Sequence, residues 1–472
     1  MKKHIFTILL SLFAVVGLQA QQIVQHLEPL SWWVGMQDPS LQLMLHGPNI
    51  GNAQIAISYP GVTVSKINKA ESDNYLYVDL TIDASTLPGK MPIAIVLGKK
   101  KQTILYELQA RKPREGRQMG LSQADVVYLI MPDRFANGDP TNDSKADLAE
   151  KANRELPHGR HGGDLQGITN HLDYLADLGV TALWLTPFQT NAMPEYSYHG
   201  YAMTDMYHVD PRMGTNDDYK KMVATAHDKG VKVLMDVVFN QVGIKHWWMA
   251  DLPFHDWINQ FDTFTPTNHK GRSIPDTHAA EIDKKIMVEG WFTGDMPDMN
   301  QANPFMIKYL TQWTIWWIEF ANLDALRFDT YQYNKIPALE QWSHRLYQEY
   351  PNIYYCAEVW IGATAPQVFW QKTGNKDDHA QGKFQGQIDF PLYEALCNTL
   401  IRGHSVSAIY DILTEDFLYP DPSRNLIFWG NHDTDRFLGM AQGNVNILKM
   451  ATNIIFTTRG IPQVYYADEI LF

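Results

Sequence analysis

The chain has 472 residues, enough for two or three domains, and at 45% hydrophobic and 19% charged residues it has the composition of an ordinary globular protein. Its net charge of −13 argues against nucleic acid, which would ask for a basic stripe, and says nothing against a neutral glycan. With 14 Trp and 23 Tyr, most rings must belong to a core, leaving a minority to stack on a ligand.

Lys2 and Lys3 precede an apolar run at 5–16, and Leu18-Gln19-Ala20 has the small-residue ending of a cleavage site. Residues 1–20 are therefore expected to be a signal peptide, making the protein exported and the mature start near Gln21. The run is too short for a membrane span, and no Cys follows the cleavage site to carry a lipid; an uncleaved anchor is the lesser alternative.

Residues 22–111 show short β-like runs at 41–45, 55–57, 75–80 and 93–97, separated by turns such as Gly47-Pro48-Asn49 and Pro88-Gly89. Regular short strands with turn signals predict a β-sandwich. Trp32-Trp33 is read first as packing, and second as a contact to sugar or another subunit. Residues 112–124 read as a linker, the charged stretch beginning at Arg111.

From 125 to 472 strands and helices alternate. Strands are expected at 125–130, 182–186, 233–238, 325–329, 354–359, 386–390, 426–429 and 462–466. Eight strand-helix units imply an α/β fold, a (β/α)8 TIM barrel. Asn216 followed by Asp217 and Asp218 looks like a helix cap, and that helix closes at Gly230. Asn303-Pro304 opens another, with Leu310, Trp313, Trp317 and Phe320 on one stripe, which assigns those tryptophans to barrel packing. An insertion at about 241–300, carrying His246, His255 and His278, follows strand three and would overhang the rim. Cys356 and Cys397 are not expected to pair, since a strand side chain facing the barrel interior and one on the following outer helix point apart.

Three carboxylates close short apolar runs: Asp329 after Leu326-Arg327-Phe328, Glu358 after Ala357, and Asp433 after Asn431-His432. Acids at the C-terminal tips of barrel strands read as catalytic, and two carboxyl groups across one bond are what glycoside cleavage needs. No zinc or nucleotide motif stands out.

The ordered set of motifs resembles the α-amylase family of retaining glycoside hydrolases. It comprises Asp236-Val237-Val238-Phe239-Asn240, Arg327-Phe328-Asp329, Glu358-Val359-Trp360 and Asn431-His432-Asp433, with Tyr198-His199-Gly200-Tyr201, Met296-Pro297-Asp298-Met299-Asn300 and Gly460-Ile461-Pro462 as secondary matches. The N-terminal module at 22–111 resembles that of cyclomaltodextrinases and neopullulanases, which implies an immunoglobulin-like β-sandwich serving as a glycan-binding or dimerisation module. The resemblance implies Asp329 as nucleophile, Arg327 as its orienting partner, Glu358 as general acid and then base, and Asp433 as the acid that grips the reactive sugar. It implies Tyr201 stacking on that sugar, with His199, Asn240 and His432 beside it, and Asp236 as a structural hydrogen-bonding residue. Trp360 is read evenly as a wall of the leaving-group subsite or as rim packing.

Two positions depart from the family pattern. Gln241 stands where His is usual, so affinity or substrate choice is expected to differ while the chemistry need not fail, and Ala467 stands where Gly is common. A turn rich in oxygen ligands, with Asn137, Asp139, Asn142 and Asp143, is by itself a solvated turn. The resemblance raises it to a structural Ca²⁺ site, completed by Gly162 and Asp164. The function implied is an exported, endo-acting α-glucan hydrolase cutting α-1,4 bonds of maltooligosaccharides, cyclodextrins, pullulan or starch. The alternatives are a catalytically silent glycan-binding barrel and a mainly transglycosylating enzyme. Similarity to Gram-negative starch-use enzymes implies a periplasmic location, and the N-terminal domain a possible homodimer. Because the sequence stops at Phe472, soon after strand eight, the barrel is expected to lack its last helix and the family's C-terminal β domain.

Overall fold

The computed structural model describes residues 22–112, 120–373 and 386–472; the expected signal peptide and most of the linker lie outside the described residues. The N-terminal part is built from β1 (His26–Glu28), β2 (Trp32–Trp33), β3 (Ser40–His46), β4 (Gln54–Ile57), β5 (Val62–Lys69), β6 (Tyr75–Ile82), β7 (Gly89–Leu97) and β8 (Lys100–Gln109). They form two four-stranded sheets, ordered β1-β3-β6-β5 and β2-β8-β7-β4. Both contribute to one core, with Leu41, Leu43 and Tyr77 from the first and Ile93, Ile95 and Leu108 from the second.

β3 is buried along almost its whole length. Alternate residues of a strand face opposite sides, so burial of both sets needs a partner on each face. The second partner is helix Pro304–Ala321 of the barrel. Gln42 N donates to Gln312 Oε1 at 2.8 Å, and Gln312 Nε2 returns a bond to Gln42 O at 2.8 Å. Tyr309 OH donates to the buried Glu28 at 2.7 Å. Arg111, where the charged stretch begins, is tied to the barrel: its Nε holds Glu319 at 2.7 Å and its Nη1 holds Glu349, both on barrel helices. Trp32 and Trp33 are buried, Trp33 edge-on to Trp316, which settles them as packing.

The barrel strands are β9 (Val127–Ile130), β10 (Ala182–Leu185), β13 (Lys232–Val237), β14 (Ala325–Phe328), β15 (Tyr354–Ala357), β16 (Gly386–Gln387), β17 (Leu426–Phe428) and β18 (Ile461–Tyr465). A small hairpin, β11 (Gln189–Thr190) and β12 (Asp205–Val209), lies between β10 and β13. Eight parallel strands run in the order β16-β15-β14-β13-β10-β9-β18-β17. The ring is brought together where Ile388 bridges Leu426 and Asp389 N donates to Leu426 O at 2.9 Å. This is the expected TIM-type barrel behind an N-terminal β domain. β18 is buried between its neighbours rather than exposed as a terminal strand would be.

Helix Pro304–Ala321 starts at the expected cap, Asn303, whose side chain accepts from Phe305 N and Met306 N. Trp313 and Trp317 each donate their indole N–H to Met206 O, at 2.6 and 3.0 Å, deep in the packing. Helix Asn216–Asp228 begins one residue earlier than expected: Thr215 is the cap, in a reciprocal box with Asp218. The insertion only partly overhangs the rim. Its first turn docks on the sandwich, with Trp247 stacked on His26 at 4.1 Å and Asp251 O accepting from Tyr75 OH at 2.6 Å. His246 is buried and caps that turn, whereas His255 is exposed and bonds Glu71 of the sandwich. Cys356 and Cys397 are both free and buried.

Candidate active site

Strand register places the site. Asp236 on β13, Arg327 on β14 and Cys356 on β15 are direct neighbours across the sheet. With a side-chain period of two, Asp329 and Glu358 lie one pleat higher on the same inward face, at the C-terminal mouth. Asp329 N donates to Val237 O and Glu358 N to Phe328 O, both at 2.9 Å, so the backbone ladder continues through both acids.

Arg327, fully buried, is the hub. Its Nη1 donates to Asp329 Oδ1 at 2.6 Å and to Asp236 Oδ1 at 2.9 Å, while Nη2 pairs with Glu358 Oε2 at 2.7 Å. The guanidinium also lies over the Trp184 ring at 5.0 Å. Asp329 accepts further from Thr330 Oγ1 at 3.2 Å and, loosely, from Gln241 Nε2 at 3.5 Å. Glu358 Oε2 accepts from Thr330 N at 2.8 Å. Burial pushes the Glu358 carboxyl up to about 8, with the Asp329 and Asp433 charges adding to that push and Arg327 opposing it. Burial likewise raises Asp236 to about 7, against the opposing pull of Arg327.

Asp236 sits beneath the site and organises it. Its carboxylate also accepts from Tyr201 OH at 2.9 Å and Trp184 Nε1 at 3.2 Å. Tyr201 OH meets His432 Nε2 at 2.6 Å, and the two rings stack at 5.4 Å. His199 Nδ1 accepts from Tyr201 N at 2.9 Å, which leaves the hydrogen of its neutral ring on Nε2 as a donor. Burial lowers His199 to about 4 and lowers His432 as well, so burial disfavours the cation at both rings. The turn that carries His199 and Tyr201 needs its glycine: Gly200 has φ +86, and a Cβ there would lie 2.0 Å from Pro187 O. Asp433 stands at the edge, its Oδ2 3.3 Å from His432 Nε2, with a side chain 34% exposed.

These groups surround one cavity of about 310 Å³, lined by Asp329, Glu358, Asp433, His199, Tyr201, Gln241, Trp360 and His432. All three expected carboxylates and five of the expected substrate residues are thus brought together. Arg327 lies just beneath, holding two of the acids. Asn240 is buried behind the cavity and does not line it; its side-chain amide has no hydrogen-bond partner. Tyr198, Phe292 and Tyr333 also line the cavity and were missed as site residues. Tyr198 belongs to a motif already singled out, but nothing in the sequence distinguished Phe292 or Tyr333, since only the fold of the insertion brings them to the rim.

Residues 129–472 match the family model for the α-amylase catalytic domain, and residues 26–112 match the cyclomaltodextrinase N-terminal domain. The chain belongs to the α-amylase family. It is similar to the cyclomaltodextrinase of Thermoanaerobacter pseudethanolicus, 30% identical over 73% of this chain and 57% of that protein. It is also similar to the β/α-amylase of Paenibacillus polymyxa, 31% identical over 73% of this chain and 27% of that one. The chain therefore spans between a quarter and three fifths of these relatives' lengths. Among solved structures, the α-amylase of Geobacillus thermoleovorans complexed with acarbose is 32% identical, with a TM-score of 0.62 over 75% of this chain and 72% of that one.

For an α-amylase family member the oxygen-rich turn after β9 invites a fit test for calcium. Asn137 Oδ1 and Asn142 Oδ1 are buried without a donor, and a Cβ on Gly162 would come within 2.7 Å of the Asp143 carboxylate. Unpartnered amide oxygens beside a carboxylate fit a hard cation. Three expected ligands already accept hydrogen bonds within the protein, Asp143 Oδ1 from Asn137 Nδ2 at 2.7 Å. Asp139 accepts from Thr141 N and Oγ1, and Asp164 caps helix Leu165–Asn170 while accepting from Gly138 N and Asp139 N. Among the described residues no group of three or more His, Cys, Asp or Glu converges on a point, so any ligand set here is rich in amide oxygens.

Proposed function

We propose that the protein is an exported enzyme of the periplasm whose chemistry is endo-acting hydrolysis of α-1,4-glucosidic bonds by retaining double displacement.

 The reading is carried by one observation: a single guanidinium, Arg327, holds Asp329 through one nitrogen and Glu358 through the other. Carboxyl groups bridged in this way sit close together, as a retaining pair at about 5–5.5 Å does and a pair spaced to admit a water does not. Glu358, raised by burial, keeps its proton and gives it to the glycosidic oxygen as the bond to C1 breaks. Asp329 forms the new bond to C1. Water, deprotonated by Glu358, then attacks C1 and releases Asp329. Asp433, His199 and His432 hold the hydroxyls of the reactive sugar, and Tyr201 supplies its stacking face.

The substrates proposed are maltooligosaccharides, cyclodextrins, pullulan and starch, in keeping with the cyclomaltodextrinase-type N-terminal match. Residues 22–111 serve as a glycan-binding or dimerising module and residues 125–472 as the catalytic barrel. The basic and apolar leader supports export, with the periplasm as the destination. A Ca²⁺ ion would be held by Asn137, Asn142 and Asp143, with Gly162 leaving room for it, and would act structurally by tying the turn after β9 to the segment before helix Leu165–Asn170.

The test is product analysis on β-cyclodextrin, pullulan and amylose, with the anomer of fresh product read by proton NMR. Consumption of these glucans with α-anomer first is expected. A β-anomer first would refute double displacement, and binding without consumption would make the barrel a glycan receptor.

A further inference from the structure

The turn that presents His199 and Tyr201 to the cavity is backbone under strain. It is one short helical turn, Ser197–His199, bracketed by two left-handed residues, Tyr196 with φ 58 before it and Gly200 with φ 86 after it. Glycine adopts that conformation freely, whereas a bulky side chain such as Tyr196 does not. Strain of this kind persists where the surroundings over-determine the backbone.

Those surroundings are one loop, residues 144–161, which lies between β9 and helix Leu165–Asn170. Glu150 of this loop aims a single carboxylate oxygen at the turn: its Oε2 accepts from Ser197 N at 2.7 Å and from Ser197 Oγ at 2.5 Å. Arg160 of the same loop, fully buried, donates through Nη1 to Ser197 O at 3.3 Å and to Ser197 Oγ at 3.4 Å. Ser197 is itself fully buried, and its N, Oγ and O all bond to the loop. A second grip falls on the next residue. The Arg134 guanidinium lies over the Tyr198 ring at 3.9 Å, while its Nη1 and Nη2 donate to Pro157 O at 2.9 Å and Gly159 O at 2.8 Å. The loop is also tied to itself, with Asn153 N donating to Arg160 O at 2.7 Å and Ala152 N to Ser144 Oγ at 3.0 Å. None of its residues lines the catalytic cavity, although Tyr198, His199 and Tyr201 do.

We propose that Glu150 is a positioning residue: it acts on the sugar through Ser197, and the 144–161 loop thereby sets how tightly His199 and Tyr201 hold the reactive sugar. The inference rests on the reading of His199 and Tyr201 as groups that face that sugar. Without the clamp the turn adopts its binding form for only a fraction of the time. Apparent affinity falls by that fraction, while the complex, once formed, is the same. The loss therefore falls on KM rather than on kcat.

The experiment measures kcat and KM on maltoheptaose for the wild type, Glu150→Ala, Glu150→Gln, Ser197→Ala and His199→Ala, with folding followed by circular dichroism and thermal melting. Glu150→Ala is expected to raise KM about tenfold and to keep kcat within about twofold. Glu150→Gln should bring KM back to within about twofold of the wild type, since one amide oxygen can accept both bonds. Ser197→Ala loses only the Oγ bond to Glu150 and should raise KM about threefold; it decides the matter if Glu150→Ala does not fold. A purely structural role would lower the melting temperature of Glu150→Ala and leave the KM of the folded protein unchanged. That result, a fall in kcat at constant KM, or a failure of Glu150→Gln to rescue overturns the proposal. If His199→Ala raises KM while the Glu150 and Ser197 variants do not, the clamp alone is lost. If His199→Ala leaves KM unchanged, the sugar-site reading beneath the proposal is lost with it.

Discussion

Two buried arginines, Arg212 and Arg327, are equally shielded from water and do opposite things. Arg212 is spent on one acid: its Nε and Nη2 hold the two oxygens of Asp210 at 2.9 and 2.7 Å, and its other donors go to Glu150 O and Asn191 O. Burial alone would raise Asp210, but hydrogen bonds from Arg212 and the nearby Arg160 charge outweigh it and hold the carboxyl below its ordinary value. Arg327 is divided among Asp236, Asp329 and Glu358. Burial pushes Glu358 up, and one cation shared among three buried acids does not offset that push, so Glu358 keeps a proton to about 8. The ratio of charges, more than burial, separates a fixed strut from a site that moves protons.

The largest effects should break this contrast. Asp329→Asn and Glu358→Gln are each expected to lower turnover by roughly 10⁴-fold, and Asp433→Asn by several orders of magnitude, with folding retained. Arg327→Met should remove turnover as well. Arg212→Met should cost about 3–5 kcal/mol of stability by leaving Asp210 unpaired, yet keep turnover per folded molecule near wild type. Denaturant titration together with active-site-normalised rates checks both; an inactive but folded Arg212→Met would erase the distinction.

The next effect is the pH profile. Glu358 must hold its proton to act as the acid, so kcat/KM should fall as pH rises through about 8. Because Glu358, Asp329 and Asp433 feel one another, that limb belongs to the cluster. A flat profile from pH 6 to 10 would remove Glu358 from the acid role.

Glu28 sharpens the lesson from the other side. Burial also raises it to about 8, with the Asp205 charge adding to the shift, but it sits in the seam between sandwich and barrel, bonded to Tyr309 and outside the catalytic cavity. Its folded value lies above its ordinary 4.5, so its contribution to stability is complete below about pH 4.5 and is lost as pH rises through about 8. Glu28→Gln keeps an acceptor for Tyr309 and removes the titration. The drop in melting temperature from pH 5 to pH 8 should therefore shrink in this variant, while activity stays unchanged. An unchanged drop would show that Glu28 does not hold its proton in the native state.

Much of this arrangement was legible because it is periodic. Seven of the eight barrel strands fall within a residue or two of the runs expected for them, since strands buried on both faces read as continuous apolar segments; the exception is β16, which ends at Gln387 where the expected run continued to 390. Asp329 and Glu358 were legible because each directly follows such a run, whereas Asp433 lies beyond the end of β17 at Phe428 and was legible through its Asn431-His432-Asp433 motif. The sandwich was less so. β5 is largely exposed and β8 begins with Lys100 and Lys101, so neither shows an apolar run, and β2 is only the pair Trp32–Trp33. The ion pairs of Arg111 were not legible, because Glu319 and Glu349 reach it from helices distant in sequence. Phe292 and Tyr333 were invisible for the same reason: their place at the cavity is set by long-range packing that no local pattern encodes.

The smallest effect concerns Gln241, where the family usually has His. Its Nε2 lies 3.4 Å from Tyr201 O and 3.5 Å from Asp329 Oδ2, both long, and its Oε1 is buried without a partner. Contacts this long contribute little, so Gln241→His should change kcat/KM by less than about tenfold. The informative readout is pH. Gln cannot ionise, whereas His gains a proton near its ordinary value of about 6.5, and beside Asp329 the cation would be favoured further. The variant should therefore acquire a dependence of KM on pH between 5 and 7 that the natural chain lacks. Parallel KM profiles for the two proteins would mean that residue 241 does not face the sugar, and that the cavity wall at Asp329 is set by Thr330 and Arg327 alone.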